Sequence, residues 1–344
     1  MQLSYQPYTL QFKHPFGVSS NTRKETPSVF IKLEAGGKTG YGEACLPAYL
    51  GETVDGTIAF FEKARPLLQA ISLPFSTADI LNATDGLSAG NNAAKAAIDI
   101  ALHDLAGKMS NKPFYETANI GKSLPMSTSF TIGIDSPDKI AQKISEAADF
   151  PVLKIKAGTP DDKALITLIR QFTAKPLYVD VNQGWTNKHM VLDMSHWMHE
   201  QDVILLEQPM PAAMKEEMAW VTAQSPVPTI ADESVKRLKD LEHLNGTFAG
   251  VNIKLMKCTG LHEALKMIAY CRENHLKVLL GCMAESSCAT SAMAQLMKLA
   301  DYIDLDAPQL YNNDPFSGIS YKHGKVWLND LPGIGAEPLA GQLF

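Results

Sequence analysis

Three acidic residues, Asp180, Glu207 and Asp232, each lie at or directly after the end of a short apolar segment in the middle of the chain. Their apolar neighbours offer them no local counter-charge. Grouped carboxylates without thiolates or histidines favour a hard cation that prefers oxygen ligands, so the residues predict a Mg²⁺ site before a Zn²⁺ site. Any one of them alone would be a helix cap or a surface acid, but three in register favour the metal.

Lysines end two further segments of the same kind. Lys156 ends one, two residues after the nearby cation Lys154, and Lys254 ends another. A lysine acts as a base near neutral pH when its pKa falls from about 10.4 to roughly 7 or 8. Burial, a metal and a neighbouring cation would supply that shift. Schiff-base formation is the alternative role for a lysine, but that chemistry does not need the three carboxylates, so we rank it low.

The elements that position these residues form a repeating pattern from residue 126 onward. Apolar segments begin about 23 to 27 residues apart, which is the length of one strand and one helix. Eight such units predict a (β/α)₈-type barrel, whose active site is built at the carboxyl ends of the strands. An open doubly wound sheet is disfavoured because no G-x-G-x-x-G motif follows any segment. The segments are Met126–Ile134, Val152–Lys156, Leu177–Val181, Val203–Glu207, Val227–Ala231, Gly250–Lys254, Lys277–Gly281 and Tyr302–Asp306.

The barrel places the two lysines on opposite sides of its mouth. Lys156 ends the second strand and Lys254 the sixth, so they would approach a central substrate from opposite faces. Two bases on two faces predict a racemase or an epimerase. The eighth segment adds Asp304 and Asp306, which share one face because side chains two residues apart on a strand point the same way.

The rest of the chain does not follow this repeat. Residues 1–120 are predicted to form an α+β capping domain of strands followed by helices, and residues 121–314 the barrel. Residues 315–344 contain a predicted hairpin and a Pro/Gly-rich end. We expect this last segment to pack back on the capping domain.

Composition excludes several classes of partner. Across 344 residues, 31 basic and 37 acidic side chains give a net charge of −6, and no run of like charges predicts a nucleic-acid or membrane surface. There is no signal-peptide pattern and no stretch of about 18 apolar residues, so we expect a cytoplasmic protein. The five cysteines are scattered, which favours buried thiols over disulfides. A small-molecule substrate fits these features best.

Seven short motifs follow one another along nearly the whole chain. They are Gly40-Tyr41-Gly42-Glu43-Ala44, Ala97-Ile98-Asp99-Ile100-Ala101-Leu102-His103-Asp104-Leu105, Lys154-Ile155-Lys156, Asp180-Val181-Asn182-Gln183-Gly184-Trp185, Glu207-Gln208-Pro209, Ala231-Asp232-Glu233-Ser234 and Asn252-Ile253-Lys254-Leu255. In this order they resemble the enolase superfamily, in its muconate lactonizing enzyme subgroup, and within that subgroup the dipeptide epimerases.

The resemblance implies the same Mg²⁺ ligands and the same two acid/base lysines as the residue pattern does. It makes Lys154 the electrostatic support of Lys156. The substrate carboxylate would bind the metal, one lysine would remove the α-proton, and the opposite lysine would return a proton to the other face. The resemblance also implies self-association, because barrels of this family often form homo-oligomers.

The resemblance further implies a substrate with a free ammonium group. In dipeptide epimerases the motif that matches Asp304 and Asp306 binds the ammonium of the dipeptide. Two loops of the capping domain, here about residues 16–25 and 47–53, would set side-chain specificity. Epimerases that act on Ala-Glu carry an arginine on the first loop, and that place holds Asn21 here, with Arg23 close by.

A small or apolar C-terminal residue is therefore our first expectation, as in Ala-Ala, with Ala-Glu second. After Lys257, the run Cys258-Thr259-Gly260 also departs from the small-Gly-Gly run common in relatives, which weakens a glutamate assignment. Thr131 and Glu285 lie near predicted strand ends and are further candidates for substrate contact.

Three alternatives stay open on the same scaffold. They are an o-succinylbenzoate synthase, an N-acylamino acid racemase, and a non-catalytic, metal-dependent binder of amino-acid derivatives. Fold alone does not decide among them. The two opposed lysines favour an enzyme, because a binder has no use for two bases.

Overall fold

The computed structural model describes residues 1–18, 21–244 and 246–344, and the side chains of all of these except residues 16–18, 21 and 22. The first part is an antiparallel sheet in the order β1-β2-β3, followed by helices. The strands are β1 (Gln2–Val18), β2 (Asn21–Ala35) and β3 (Lys38–Cys45), and the helices are α1 (Val54–Gln69), α2 (Thr77–Asp85), α3 (Asn92–Ser110) and α4 (Phe114–Thr117).

Helix α3 lies almost directly against β3, which explains two glycines of the first motif. A Cβ on Gly40 would lie 2.2 Å from the carbonyl oxygen of Ala101, and one on Gly42 would lie 2.0 Å from that of Ala97. Any larger residue would push the helix away from the sheet. The alanines of α3 have small side chains, so the helix is buried along most of its length.

The second part is a barrel of parallel strands alternating with helices, as predicted. Its sheet runs in chain order from β5 to β12, and a bridge between Thr128 and Ile303 joins the first strand to the last. The strands are β5 (Ser129–Ile132), β6 (Val152–Lys156), β7 (Leu177–Asp180), β8 (Val203–Glu207), β9 (Thr229–Ala231), β10 (Gly250–Ile253), β11 (Lys277–Gly281) and β12 (Tyr302–Asp304). The short strand β4 (Met126–Ser127) precedes them.

Helices follow the strands around the outside of the barrel. They are α5 (Pro137–Glu146), α6 (Asp162–Phe172), α7 (Lys188–Glu200), α8 (Lys215–Thr222), α9 (Leu238–Leu241), α10 (Leu255–Cys258), α11 (Leu261–Glu273), α12 (Ser287–Ala294) and α13 (Ala307–Leu310). Short 3₁₀ turns occupy Ala48–Leu50 and Met297–Leu299. No helix in the described ranges is both long and apolar enough to span a lipid bilayer.

The first predicted barrel segment, Met126–Ile134, is divided in the structure. Ser129–Ile132 forms the first barrel strand and Thr128 bridges to the last one, whereas β4 pairs with the C-terminal hairpin. An apolar run indicates a strand but not the sheet that the strand joins. Pairing with the barrel and pairing with the C-terminal hairpin would both bury apolar side chains, so the sequence does not distinguish them.

The C-terminal segment contacts both other parts of the chain. Its strands are β13 (Phe316–Ser317), β14 (Ser320–Lys322), β15 (Lys325–Trp327) and β16 (Glu337–Pro338). The hairpin β14-β15 pairs with β4 beside the barrel. The Phe316 ring packs against Phe30 and Tyr41 of the capping domain, with ring centres 5.3 and 5.7 Å apart.

Candidate active site

The three acidic residues meet at the mouth of the barrel. One carboxylate oxygen from each of Asp180, Glu207 and Asp232 lies within 4.8 Å of the others. Strand register explains this, because Asp180 pairs with Glu207 on β8 and also with Lys156 on β6. These side chains therefore lie at one level of the barrel, in its buried interior.

The two predicted bases contact opposite ends of this carboxylate trio. Lys156 Nζ lies 2.6 Å from Asp180 Oδ2, and Lys254 Nζ lies 2.7 Å from Asp232 Oδ2. Both lysines are at most 9% exposed. The structure thus brings together the five residues of the predicted metal and acid/base set.

Lys154 lies below the trio and contacts three carboxylates. Its Nζ is 2.7 Å from Asp304 Oδ2, 2.8 Å from Glu207 Oε2 and 3.1 Å from Asp180 Oδ2. Burial disfavours its charge, but these carboxylates outweigh burial and hold its pKa well above the ordinary value. Lys154 is therefore a fixed cation that orders the acids around it.

Burial and mutual repulsion set the charges of the trio. Burial raises the pKa of Asp180, but the charges of Lys156 and Lys154 outweigh it and the pKa is lowered. Lys254 and Lys257 likewise hold the pKa of Asp232 well below its usual range, against burial. Glu207 differs, because burial and the charge of Asp180 raise its pKa to about 7.

The donor set fits a magnesium ion. It consists of three buried carboxylates, and the chain's cysteines lie elsewhere except for Cys282, whose thiol donates to the Asp304 carbonyl oxygen. Glu207 Oε2 makes no hydrogen bond within the described part of the chain and lies near Lys154 only as an ion pair. A hard divalent cation prefers such oxygen ligands, and it would also give Glu207 Oε2 a partner.

Two residues behind the trio were not predicted as part of the site. Lys257, which is 1% exposed, donates to Asp232 Oδ1 at 2.5 Å and to the carbonyl oxygens of Asp232 and Asn252 at 2.7 and 2.9 Å. The Asn252 side chain donates to Glu207 Oε1 at 2.7 Å. Both orient carboxylates that would hold the metal. Asn252 precedes Lys254 by two residues, so its position on the inner face of β10 was a usable signal.

The predicted ammonium-binding pair has two different environments. Asp304 is held by Lys154 and by Ser129 Oγ, which donates to Oδ1 at 2.6 Å. Asp306 Oδ2 accepts the backbone N–H of Thr131 at 2.6 Å. Burial and the charge of Asp304 raise the pKa of Asp306 to about 7. Of the two, Asp306 is the one without a lysine partner within the described residues.

A cavity of about 320 Å³ lies above these residues. Thr131, Lys156, Lys254 and Asp306 line it, and so does Arg23 of the capping domain. Its rim includes the second predicted loop, where the Tyr49 hydroxyl donates to Met283 Sδ at 3.0 Å. The cavity is therefore enclosed jointly by the barrel mouth and the capping domain.

One predicted contact residue, Glu285, is absent from the described lining of this cavity. Glu285 is buried beneath it and accepts the Met283 N–H at 3.0 Å, while burial and the charge of Glu43 raise its pKa to about 8. The Asn21 side chain lies outside the described residues. Arg23 was noted in the sequence only as close to the expected arginine position, because spacing does not give the direction of a side chain.

Comparisons with known proteins agree with this architecture. A profile described as mandelate racemase / muconate lactonizing enzyme, N-terminal domain, matches residues 6–117, and one described as enolase C-terminal domain-like matches residues 138–341. The L-Ala-D/L-Glu epimerase of Bacteroides thetaiotaomicron is 47% identical over 336 residues, which are 97% of this chain and 87% of that protein.

Solved structures show the same similarity. The dipeptide epimerase of Enterococcus faecalis, complexed with Mg and L-Leu-L-Tyr, has a TM-score of 0.91 at 33% identity, covering 97% of this chain and 98% of that one. A substrate-liganded complex of the L-Ala-D/L-Glu epimerase from Bacillus subtilis has a TM-score of 0.92 at 27% identity, covering 98% of both chains.

The chain therefore belongs to the enolase superfamily, in the mandelate racemase and muconate lactonizing enzyme group. The predicted family and fold class are confirmed.

Proposed function

We propose that this protein is a Mg²⁺-dependent dipeptide epimerase that inverts the α-carbon of the C-terminal residue, with Ala-Glu as its preferred type of substrate. Its relatives are epimerases, and the chain is an isomerase of the same kind. The observation that carries the proposal is the pair of lysines at opposite ends of one buried carboxylate trio.

The two lysines would perform the proton transfer. Lys156 and Lys254 are held at fixed positions by their carboxylate partners. A substrate α-carbon placed between them would lose its proton to the neutral amine of one lysine and gain a proton from the ammonium group of the other. When bound, Mg²⁺ would supply the positive charge that offsets the trio and stabilises charge on the substrate carboxylate. The capping domain, with Tyr49 on its second loop, would exclude water from this transfer.

Asp306 would hold the ammonium group of the dipeptide. It lies in the same cavity as the lysines, and its partner in the described structure is the Thr131 backbone rather than a cation. Asp304 would act indirectly, because Lys154 and Ser129 already occupy its oxygens. The family resemblance implies ammonium binding for both aspartates, whereas this assignment gives that role to Asp306 alone.

Arg23 supports an acidic C-terminal residue. The sequence favours a small or apolar residue because Asn21 occupies the expected arginine position, but Arg23 lines the substrate cavity. A guanidinium pairs readily with a carboxylate. The relative at 47% identity is an L-Ala-D/L-Glu epimerase, which points the same way, so we place Ala-Glu ahead of Ala-Ala.

The test is deuterium exchange in D₂O with a pooled dipeptide library and Mg²⁺, read by mass spectrometry and chiral analysis. We expect an α-deuterium at the C-terminal residue that disappears with EDTA, and faster exchange of Ala-Glu than of Ala-Ala. Exchange in N-acylamino acids alone, or dehydration of a cyclohexadiene acid, would assign one of the sibling activities instead.

A matched pair of variants tests the role of Arg23. Replacing Arg23 with Met should lower kcat/KM for Ala-Glu by roughly 100-fold, about the loss of one charge-assisted contact, and should lower it much less for Ala-Ala. Lys24→Met removes an exposed cation from the next position of β2 and serves as control. Equal losses on both substrates would return Ala-Ala to first place.

A further inference from the structure

A second cavity of about 280 Å³ opens beside the substrate cavity. Thr131 and Leu310 line both, so the two spaces adjoin across these side chains. The second cavity lies between the end of β1, the outer side of β5, helix α5 and helix α13.

Three aromatic rings form part of the wall of this second cavity. The rings of Phe12, Phe130 and Phe150 line it, together with Leu310. Phe130 and Phe150 pack against each other with ring centres 4.9 Å apart. Its polar groups include Lys13 and Gln309, the partly exposed pair His14 and Glu146, which contact each other at 3.0 Å, and the buried Lys143, which donates to Asp135 Oδ2 at 3.0 Å. An apolar wall combined with paired polar groups is typical of a site that takes a small molecule with an apolar part.

The position of this cavity relative to Asp306 indicates which part of a substrate reaches it. Asp306 is fixed to the Thr131 backbone, and Thr131 separates the two cavities. An ammonium group on Asp306 places the α-carbon of the N-terminal residue next to Thr131, because one bond joins the two atoms. The side chain on that carbon then has the second cavity directly available, whereas the reacting carbon lies toward the two lysines.

We infer that the second cavity is a subsite for a large apolar or aromatic side chain on the N-terminal residue of the dipeptide. This inference rests on the proposed function and extends it to the other end of the substrate. An alanine methyl group fills little of 280 Å³, whereas a phenylalanine side chain would bury much of its apolar surface against three rings. The enzyme therefore accepts dipeptides of the form Phe-Xaa and Leu-Xaa in addition to Ala-Xaa.

The first experiment compares kcat/KM for Phe-Xaa and Ala-Xaa in the unmodified protein, with Xaa as Glu or Ala, whichever is turned over faster. We expect Phe-Xaa to lie within tenfold of Ala-Xaa. A larger deficit for Phe-Xaa would overturn the inference while leaving the proposed function intact. Absence of exchange in every dipeptide would instead overturn the proposed function.

The second experiment fills the cavity. Gln309 lines the second cavity and not the first, so Gln309→Trp should lower the ratio of Phe-Xaa to Ala-Xaa turnover at least tenfold. Gln309→Phe fills less volume and should lower the ratio by a smaller factor. Gln171→Trp, on an exposed face of α6, introduces the same ring far from the site and should leave the ratio unchanged.

Two outcomes of the filling experiment would contradict the inference. An unchanged ratio in both Gln309 variants would show that the N-terminal side chain lies elsewhere. A selective loss of substrates with a large C-terminal residue, such as Ala-Phe relative to Ala-Ala, would show that this cavity receives the other side chain of the dipeptide.

Discussion

The carboxylates at the barrel mouth and those between the capping domain and the rest of the chain are equally buried but have different partners. At the mouth, Asp180, Asp232 and Asp304 each contact a lysine. Burial raises the pKa of each, but the lysine charges outweigh it and the pKa values are lowered. These three aspartates are therefore ionised together in the interior, whereas burial and the charge of a neighbouring aspartate raise the pKa values of Glu207 and Asp306 at the same mouth to about 7.

The second group lies where the capping domain meets the barrel and the C-terminal segment. Glu43 accepts hydrogen bonds from the N–H and the hydroxyl of Ser286, and Asp99 accepts the N–H groups of Leu261 and His262 at the start of α11. Burial raises the pKa of both to about 7, although these hydrogen bonds oppose it.

Asp104 is intermediate between the two groups. It accepts the N–H groups of Tyr41 and Ile334 and also contacts Lys108 at 2.9 Å. Burial still raises its pKa to about 6, against the charge of Lys108. Lys108 alone thus offsets burial at Asp104 less than the buried lysines offset it at Asp180, Asp232 and Asp304.

The difference shows that buried acids serve two purposes in one molecule. With buried lysines beside them, as at Asp180, Asp232 and Asp304, they stay charged, which is the state that the proposed metal binding and proton transfer would need. With backbone N–H partners they satisfy the donors of another element and join the domains. The motifs around Glu43 and Asp99 belong to this second group, which explains why they mark the family without lining the cavity.

The largest expected effect comes from removing a mouth lysine. Lys156→Ala and Lys254→Ala should each lower the rate of epimerisation by at least about 10³-fold, because general acid–base catalysis contributes about 10² to 10⁴. Circular dichroism of the dipeptide would measure this. Lys239→Ala, on helix α9, is the control. More than a tenth of normal activity in either variant would contradict the two-base assignment.

Next, one acid from each group can be neutralised with the same chemical change. Glu207→Gln should weaken Mg²⁺ binding at least about 100-fold. Removing the charge of a proposed metal ligand should cost more affinity than removing a residue that only orients a ligand, which typically costs about 10- to 100-fold. Glu43→Gln keeps an acceptor for the Ser286 donors, so Mg²⁺ affinity should stay within threefold and the free energy of unfolding should fall by about 1 kcal/mol at most. Calorimetric titration with Mg²⁺ separates the two. Equal effects on affinity would remove the distinction between the groups.

A smaller effect is expected for Lys257, which supports Asp232 from behind. Lys257→Met removes the donor to Asp232 Oδ1 and should weaken Mg²⁺ binding about tenfold, as loss of a contact that orients a metal ligand does. The readout is the Mg²⁺ dissociation constant of the whole protein, compared with Lys257→Arg, which keeps a donor. Tighter binding in the Met variant would mean that repulsion by the lysine outweighs its orienting contact.

The barrel was predictable because its signal is local. Val152–Lys156, Val203–Glu207 and Lys277–Gly281 match the observed strands at both ends. A buried parallel strand is a continuous apolar run, and the first polar residue after it lies at the mouth. The same rule located Asp180 and Lys254 without knowledge of their contacts.

Other features were not predictable because they depend on distant partners. Lys257 lies on a four-residue helix and points back to a different strand. The contact of Asp304 with Lys154 joins residues 150 positions apart, and the cavity position of Arg23 depends on how the capping domain meets the barrel. Sequence spacing gives the level of a side chain on its own strand but not the side chain that faces it.

The smallest expected effect is a pH dependence of stability from the interface acids. Asp99 has a pKa of about 7 in the folded protein against an ordinary value of 3.8. Between these values the unfolded chain releases the proton and the folded chain keeps it, so this contribution to stability is complete below about pH 4 and is lost as the pH rises through 7. The slope is at most about 1.4 kcal/mol per pH unit.

Comparing the unmodified protein with Asp99→Asn isolates this contribution, because asparagine does not titrate. The stability of the unmodified protein relative to the variant should fall by about 1 kcal/mol or more between pH 5 and 7 and level off above about pH 8. Denaturant unfolding at constant Mg²⁺ measures it. His103 lies 3.8 Å from Asp99 but stays neutral in this range, because burial lowers its pKa to about 3. Glu43→Gln should show the same trend, and a difference that does not change with pH in either variant would mean that these interface acids are ionised like Asp180, Asp232 and Asp304 at the mouth.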